Sequence, residues 1–180
     1  MSSCLVNLRR EPTILGLDIE GNVAPRVKDI ETLLPGQNIT MIVHKAPRLL
    51  TSDVSGVASK LASLRWLLGP KADLPKIIRR SPALLLSNVE NTVATKFRKL
   101  EELFPSADVV KMVEKDATVL FYDFENTLQM KVECWRKRVT NATEMDNLIV
   151  QYPLLLSYSL DTSVSRLDYI IQVMICIHRK

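Results

Sequence analysis

A short pattern that recurs at a nearly constant spacing is the strongest constraint on how this chain folds. It consists of a proline, or once an alanine, followed by aliphatic residues, as in Ala46-Pro47-Arg48-Leu49-Leu50. The proline position recurs at Pro12, Pro47, Pro82, Ala117 and Pro153, which gives intervals of 35, 35, 35 and 36 residues. Repeats of this length are supersecondary units that enclose an apolar core only by stacking on their neighbours. The chain is therefore predicted to be an array of repeats.

Two columns of polar residues keep the same register and predict that each repeat is helical. Asp, Asn and Ser side chains accept hydrogen bonds from the free N–H groups at a helix N-terminus. One column stands six residues after the proline position and comprises Asp18, Asp53, Asn88, Asp123 and Ser159. A second column comprises Asn38, Asp73 and Asp108. We expect a long helix of about four turns after the first cap and a shorter helix after the second.

Apolar residues follow each cap at steps of three and four residues, which is the pattern of one buried stripe on a helix. On the long helices this stripe comprises Ile19, Val23, Val27, Ile30 and Leu33; Val54, Ala58, Leu61, Leu64 and Leu68; Val89, Val93, Phe97, Leu100 and Leu103; and Phe124, Leu128, Val132, Trp135 and Val139. On the short helices it comprises Ile39, Ile42 and Val43; Leu74, Ile77 and Ile78; Val109, Met112 and Val113; and Met145, Leu148 and Ile149. The predicted fold class is an all-α solenoid of stacked helical repeats with about 35 residues per repeat.

The register also sets the predicted boundaries of the repeats. They are 11–45, 46–80, 81–115, 116–151 and a partial repeat at 152–180, with residues 1–10 as an N-terminal extension or the end of a truncated segment. The extra residue of the last interval is placed in the segment Thr140 to Thr143, because the columns realign only after it.

The composition argues against several functional classes. Three widely spaced cysteines, Cys4, Cys134 and Cys176, predict neither a disulfide framework nor a zinc cluster. The chain has two histidines and no glycine-rich phosphate loop, so we predict a non-enzymatic protein without catalytic residues, metal or cofactor. The longest apolar stretch is shorter than the roughly 18 residues of a membrane span, so no membrane partner is expected.

The repeat that begins at Ala46, APRLLTSDVSGVASKLASLRWLLGPKADLPKIIRR, resembles those of the mTERF (mitochondrial transcription termination factor) family. Repeats of that family contain a Pro-x-Leu-Leu turn, a long helix often ending in Leu-Gly, and a short helix ending in a basic residue. The chain departs from this pattern at Ala117, and Leu-Gly occurs only at Leu68-Gly69. Pentatricopeptide repeats also have a period of 35 residues, but they lack the Pro-Leu-Leu turn and their columns do not match.

The resemblance implies a left-handed superhelix with a basic groove that binds double-stranded DNA or RNA in mitochondria or chloroplasts. The implied roles are transcription termination or regulation, RNA processing and ribosome assembly, with organellar transcription, splicing or ribosomal proteins as further partners. Residues 1–10 are basic and free of acidic residues, like the end of a presequence, but they are too few for a complete transit peptide.

Basic residues on the short helices are the first candidates for nucleic-acid contact. At 100° per residue, Leu74, Ile77 and Ile78 define one face, which leaves Lys76, Arg79 and Arg80 pointing away from it. The position two residues before the proline position is basic in four successive repeats and comprises Arg10, Lys45, Arg80 and Lys115. In a stacked array such a column forms a stripe of positive charge suited to phosphates. The alternative is a solvated face whose cations stabilise helix C-termini.

Charge is concentrated in the second repeat. Residues 46–80 hold seven basic and two acidic residues, whereas residues 81–115 hold five of each and the first and fourth repeats are net acidic. Further candidates are therefore Arg48, Lys60, Arg65 and Lys71, with Lys96, Arg98 and Lys99 beyond them. The net charge of only +4 also leaves open a protein-interaction scaffold without nucleic-acid contact.

The two tryptophans receive different predictions. Trp135 falls on the apolar stripe of its helix and is expected in the core, which makes Arg136-Lys137-Arg138 less attractive as a stacking patch. Trp66 lies away from the centre of its stripe and is the better candidate for surface contact, although packing against the next repeat is the expectation.

Overall fold

A computed structural model describes residues 11–139 and 141–178 of the chain, with the side chains of 171 and 173–178 not described. This part of the chain contains nine α-helices and no strand, which confirms the all-α prediction. The helices are α1 (Ala24–Leu33), α2 (Ile39–Lys45), α3 (Val54–Leu68), α4 (Leu74–Arg80), α5 (Ala94–Leu103), α6 (Val109–Lys115), α7 (Met130–Arg136), α8 (Ala142–Gln151) and α9 (Leu160–His178).

The chain divides into two compact halves, one up to Thr95 and one from Lys96 onward. In the N-terminal half α1 packs against α3, and α2 packs against α4. In the C-terminal half α6 packs against α8, and α7 packs against both α8 and α9. Long helices therefore lie beside long helices and short helices beside short helices, which is the packing expected of stacked repeats. No helix in the described ranges is both long and apolar enough to span a membrane.

The recurring Pro-Leu-Leu pattern forms a short 3₁₀ helix at the start of each repeat. These turns are Pro12–Gly16, Pro47–Leu50, Pro82–Leu86, Ala117–Phe121 and Pro153–Ser157. Proline fits at the first position because it has no N–H to leave unpaired and its backbone is already restricted to a helical φ. Ala117 starts the same turn without a proline, where the Asp116 side chain accepts a hydrogen bond from the Thr118 N–H. The substitution therefore preserves the turn.

Both columns of polar residues cap helices as predicted. Asp53 accepts a hydrogen bond from the Gly56 N–H at 2.9 Å, and Asp73 accepts one from the Lys76 N–H at 3.0 Å. The remaining predicted caps make the same type of contact, namely Asp18, Asn38, Asn88, Asp108, Asp123 and Ser159. The helix that Asp53 caps, α3, ends at Leu68. The next residue, Gly69, has a φ of 78°, a left-handed conformation that strongly favours glycine. The Leu-Gly pair is therefore a helix terminator.

Three of the long helices begin with a π-helical segment, which the sequence did not predict. These segments are Ile19–Val23, Val89–Val93 and Phe124–Gln129, and they precede α1, α5 and α7. In the second repeat α3 begins directly after its cap, with the Val57 N–H bonded to the Asp53 carbonyl. The first fully buried residue inside the long helix is Val57 in the second repeat, four residues after its cap, Asp53. In the third repeat, which has a π turn, the buried Val93 is five residues after its cap, Asn88.

Most residues of the predicted apolar stripes are buried, but two predictions are wrong. Ile19 is 72% exposed, because in the described part of the chain no earlier repeat packs over the first long helix. Leu148 is 43% exposed, whereas its partners on α8, Met145 and Ile149, are buried. Trp135 is buried as predicted, and its Nε1 donates a hydrogen bond to the Ser163 Oγ at 3.2 Å.

The short helix of the fourth repeat is three residues longer than the other short helices, although the interval contains only one extra residue. α8 begins at Ala142 and has 10 residues, whereas α2, α4 and α6 have seven. Asn141 caps it through the N–H groups of Thr143 and Glu144. The helix starts inside the segment where the sequence placed the insertion.

Neighbouring repeats are also joined by basic side chains of the long helices. Arg26 donates to the carbonyls of Leu50 and Ser52, and Lys96 donates to the Tyr122 carbonyl. Lys131 donates to the Leu156 carbonyl at 2.8 Å and is only 8% exposed. Burial lowers the pKa of Lys131 because it disfavours the charged ammonium. Each of these bonds pairs a carbonyl at the end of the next Pro-Leu-Leu turn.

We predict that Lys131→Met destabilises the fold although the new side chain is apolar. The substitution leaves the Leu156 carbonyl without its donor, which costs about 1–3 kcal/mol when the acceptor is buried. Chemical denaturation at neutral pH measures the loss. The matched control is Lys137→Met, since Lys137 is exposed, and a loss no larger than that of the control would contradict the assigned role.

We predict that Asp108, the N-cap of α6, stabilises the fold in a pH-dependent way, because only its ionised carboxylate makes the full cap interaction. The hydrogen bond from the Lys111 N–H is the main reason that the pKa of Asp108 lies below its ordinary value of 3.8. A lowered pKa means that this stabilisation is present above pH 3.8 and is lost as the pH falls through the folded-state value. Asp108→Asn should keep the cap at pH 7 but lose this part of the acid sensitivity, whereas Asp108→Ala should lose about 1 kcal/mol at pH 7. Urea denaturation between pH 7 and pH 2.5 compares the variants, and identical pH profiles for wild type and Asp108→Asn would refute the prediction.

Candidate nucleic-acid interface

The basic column of the short helices joins successive repeats through backbone carbonyls. The Lys45 Nζ lies 2.8 Å from the Arg79 carbonyl oxygen and 3.3 Å from that of Arg80. The Lys115 Nζ lies 3.1 Å from the carbonyl oxygen of Gln151. Carbonyls at the C-terminus of a helix lack intrahelical donors and carry partial negative charge, so an ammonium is a favourable partner. Each lysine therefore stabilises the C-terminal end of the next short helix.

Both lysines nevertheless remain exposed, so their role at the helix end does not preclude a contact with a phosphate. Arg80 occupies the same column on α4 and is also exposed. Arg10, the first predicted member of the column, lies outside the described residues. The structure brings Lys45 next to the end of α4, which carries Arg79 and Arg80.

The remaining candidates of the second repeat lie on three different elements. Arg48 follows Pro47 in the turn, and its Nε is 3.5 Å from the Glu11 Oε2. Lys60 and Arg65 lie on α3, Lys60 half-buried and Arg65 exposed. On α4, Lys76 is half-buried and Arg79 is exposed.

Cations without a protein partner are concentrated in the second repeat. Within the described residues, four of its basic side chains make no hydrogen bond or ion pair: Lys60, Arg65, Lys71 and Arg79. The other repeats have one such side chain each among their described residues: Lys28, Arg98, Lys137 and Arg166. A cation that is not engaged by the protein gives up only its hydration when it binds a phosphate. Among the described residues, the second repeat therefore has the most basic side chains that are available to bind a phosphate.

Elsewhere the structure uses its basic side chains for packing. Arg136 forms a bidentate ion pair with Asp146, with Nε–Oδ1 and Nη2–Oδ2 distances of 2.8 and 2.7 Å, and also donates to the Leu103 carbonyl. Arg138 donates to the Asp168 carboxylate at 3.1 Å. Lys99 pairs with Glu125, and Lys111 pairs with Asp108. The Arg136-Lys137-Arg138 cluster is thus mainly structural.

An exposed aromatic side chain, Trp66, also belongs to the second repeat, next to Arg65 in the sequence. Trp66 on α3 is 80% exposed, so the expectation that it packs against the next repeat is wrong. It points away from the buried side of α3, on which Val57, Leu64 and Leu68 lie. Arg65, its neighbour, lies at a groove of about 350 Å³ whose walls come from α1, α3 and α4. An exposed indole provides a flat surface on which a base can stack.

The sequence analysis missed one set of functional cations, although a signal for it exists. Arg26, Lys96 and Lys131 all stand 14 residues after the proline position, whereas the second repeat and the partial fifth repeat have leucines there, Leu61 and Leu167. This column was overlooked because its members fall close to the apolar stripe of the long helix. The structure assigns them to the joints between repeats rather than to a ligand.

We predict that two exposed cations of neighbouring short helices differ in what they contribute to stability. Lys45→Met removes the donor to the Arg79 and Arg80 carbonyls and should cost about 1 kcal/mol of unfolding free energy. Arg79→Met removes no side-chain contact in the described structure and should change the stability by less than about 0.5 kcal/mol. Chemical denaturation of the two variants at neutral pH measures both values. Equal effects would contradict the structural role of Lys45.

A family model described as mTERF matches residues 1–176. A search of curated proteins finds no match.

Proposed function

Because the chain belongs to the mTERF family, which is associated with nucleic acids in organelles, we propose that it binds nucleic acid through the exposed basic residues of its second repeat. The proposed contacts come from the end of α4 and the flanks of α3. The residues are Arg79 and Arg80 with Lys45 and Lys76, and Lys60, Arg65 and Lys71, with Arg48 at the edge. Two further members of the basic column are proposed as separate contacts, namely Lys115 in the C-terminal half and Arg10, which lies outside the described residues.

The concentration of unpartnered cations in one repeat is the observation that supports this proposal most directly. A net charge of +4 is too small to predict tight binding from the whole surface. Lys60, Arg65, Lys71 and Arg79, however, lie within 20 residues of one another in the sequence, on α3, α4 and the segment between them. Four phosphate contacts would give a binding constant that falls steeply with salt, because each contact releases condensed counterions.

Trp66 adds a contact of a different kind to this proposal. An indole that is 80% exposed and is followed along the chain by Lys71 is suited to stack on an unpaired base. Stacking requires an accessible base face, which single-stranded RNA or DNA offers and a duplex offers only at its ends. A contribution of Trp66 to affinity would therefore favour a single-stranded ligand.

We propose that the protein acts in mitochondria or chloroplasts, where a nucleic-acid-binding repeat protein serves transcription or its termination, RNA processing or ribosome assembly. Family membership supports this assignment. We infer a binding role rather than an enzymatic one, because the mTERF family is generally a non-enzymatic family of nucleic-acid-binding proteins.

The test is a fluorescence-anisotropy titration against duplex DNA, single-stranded DNA and single-stranded RNA at several salt concentrations. The wild type should bind at least one ligand with an affinity that falls linearly on a log–log plot. Arg65→Gln and Arg79→Gln should each weaken binding and reduce the slope by roughly one contact. Trp66→Ala should weaken binding of the single strands only.

Matched controls remove the same charge elsewhere. Arg98→Gln and Lys137→Gln each neutralise an exposed cation without a partner in the described structure, and both lie outside the second repeat. They should leave the salt slope unchanged. If the controls and the second-repeat variants behave alike, binding depends on net charge and not on this site, and the site assignment fails.

A further inference from the structure

Two arginines stand at equivalent places on the long helices of the second and fourth repeats. Arg65 follows its cap, Asp53, by 12 residues, and Arg136 follows its cap, Asp123, by 13. The π turn that precedes α7 and not α3 accounts for the extra residue. Each arginine directly follows a buried residue of its stripe, so both leave the long helix on the same side.

In the fourth repeat this arginine makes three kinds of contact within the protein. The Arg136 guanidinium forms the bidentate ion pair with Asp146, and its Nη2 donates to the Leu103 carbonyl at 2.6 Å. It also lies over the Phe104 ring, 5.7 Å from the ring centroid. A carboxylate matches the planar guanidinium in both shape and charge, so the fourth repeat contains a carboxylate site that its own Asp146 fills.

The preceding repeat surrounds the two arginines in the same way. Leu103 and Phe104 stand 21 and 22 residues after the proline position of the third repeat, and Leu33 and Leu34 stand there in the first. Leu33 and Leu34 line the groove at which Arg65 lies. Leu34 therefore provides an apolar wall where the fourth repeat has the Phe104 ring.

The second repeat lacks the carboxylate at the position of Asp146. That position is seven residues before the next proline position, and the second repeat has Pro75 there. A proline ring cannot pair with a guanidinium, and Arg65 makes no hydrogen bond or ion pair with another described residue. Arg65 and Pro75 instead line the groove of about 350 Å³ between α1, α3 and α4. The groove thus has an unpaired guanidinium where the fourth repeat holds a carboxylate.

The rest of this groove is apolar except for one amide. Its walls include Leu61, Ala62 and Leu74, and Gln37 is its other polar side chain. All of the lining residues belong to the N-terminal half of the chain. Small-molecule sites have volumes of this order and are mainly apolar, with a few polar groups that fix the orientation of the ligand.

We propose that this groove binds a small organic acid, a molecule with one carboxylate and a short apolar body. The carboxylate pairs with Arg65 as Asp146 pairs with Arg136, and the apolar body lies against Leu34 and Leu61. A free acid is the favoured occupant, because a groove between three helices contacts a small molecule on several sides. This gives Arg65 a second kind of ligand and does not depend on nucleic-acid binding.

The probe is sodium hexanoate, titrated at constant ionic strength into the ¹⁵N-labelled full chain and followed by NMR. The Arg65 Nε–Hε signal, identified by its absence from Arg65→Gln, should shift and saturate together with backbone amides of the groove. Hexanamide and acetate should each bind at least about tenfold more weakly, because one lacks the charge and the other lacks the apolar body. Arg65→Gln should abolish saturable binding at the groove. Arg98→Gln is the matched control and should leave it unchanged, since Arg98 is also exposed and without a partner in the described structure.

A second variant supplies the carboxylate from within the chain. Pro75→Asp should pair with Arg65, abolish hexanoate binding and melt at a higher temperature than Pro75→Asn, which has the same shape without the charge. Replacing Arg65 by Gln in both backgrounds should remove the difference in melting temperature. Circular dichroism verifies that each variant is folded.

Four outcomes would overturn the proposal. Hexanoate may shift no groove signal of the folded wild type, or acetate may bind as tightly as hexanoate, which would leave only an exposed anion contact. Binding of hexanoate to folded Pro75→Asp as to the wild type would place the site elsewhere. Tighter binding of the acetylated and amidated dipeptide Leu-Asp than of hexanoate would assign the groove to an acidic segment of a partner protein. Nucleic acid is absent from these experiments, so their failure and failure of the proposed function are distinguishable.

Discussion

The rest of the structure depends on burial of an apolar stripe that no single repeat can enclose. Each repeat has one long and one short helix, and the stripes of both become buried only where the next repeat packs against them. Hydrogen bonds fix the spacing of this stack, because Arg26, Lys96 and Lys131 extend from one long helix to the carbonyls of the next turn. Hydrophobic burial thus supplies the driving force, and the buried hydrogen bonds set the register.

Packing between repeats also determines which charged side chains are available to bind a ligand. Most basic side chains of the first, third and fourth repeats are engaged by carbonyls or carboxylates within the fold, as Arg136 is by Asp146. The second repeat has Leu61 where these three repeats have a cation, and its own cations lie at the helix flanks, in the segment between the helices and at the helix end. Its excess positive charge therefore faces solvent. The proposed interface consists of these cations, which have no role in packing between repeats. Lys45 belongs to both groups, since it is exposed and stabilises the end of α4.

Packing leaves one position of the short-helix column partly exposed in the described part of the chain. Ile42, Met112 and Leu148 are equivalent by sequence, but only Leu148 is left partly exposed.

The sequence by itself determined the period, the helical class, the caps and most of the buried stripe, because these depend on local hydrogen bonding and on helical periodicity. Asp53, Asp73 and Leu64 could be assigned correctly from spacing alone. The π turns, the exposure of Trp66 and Ile19, and the division of lysines into packed and available ones were decided by tertiary structure. Lys96 and Lys60 are both lysines on long helices, but one lies against a carbonyl of the next turn and the other has no such partner in the described structure. The partner of a basic side chain such as Lys96 belongs to another repeat. Sequence periodicity gives the position of a residue within its repeat but not its contacts with other repeats, so it could not predict this division.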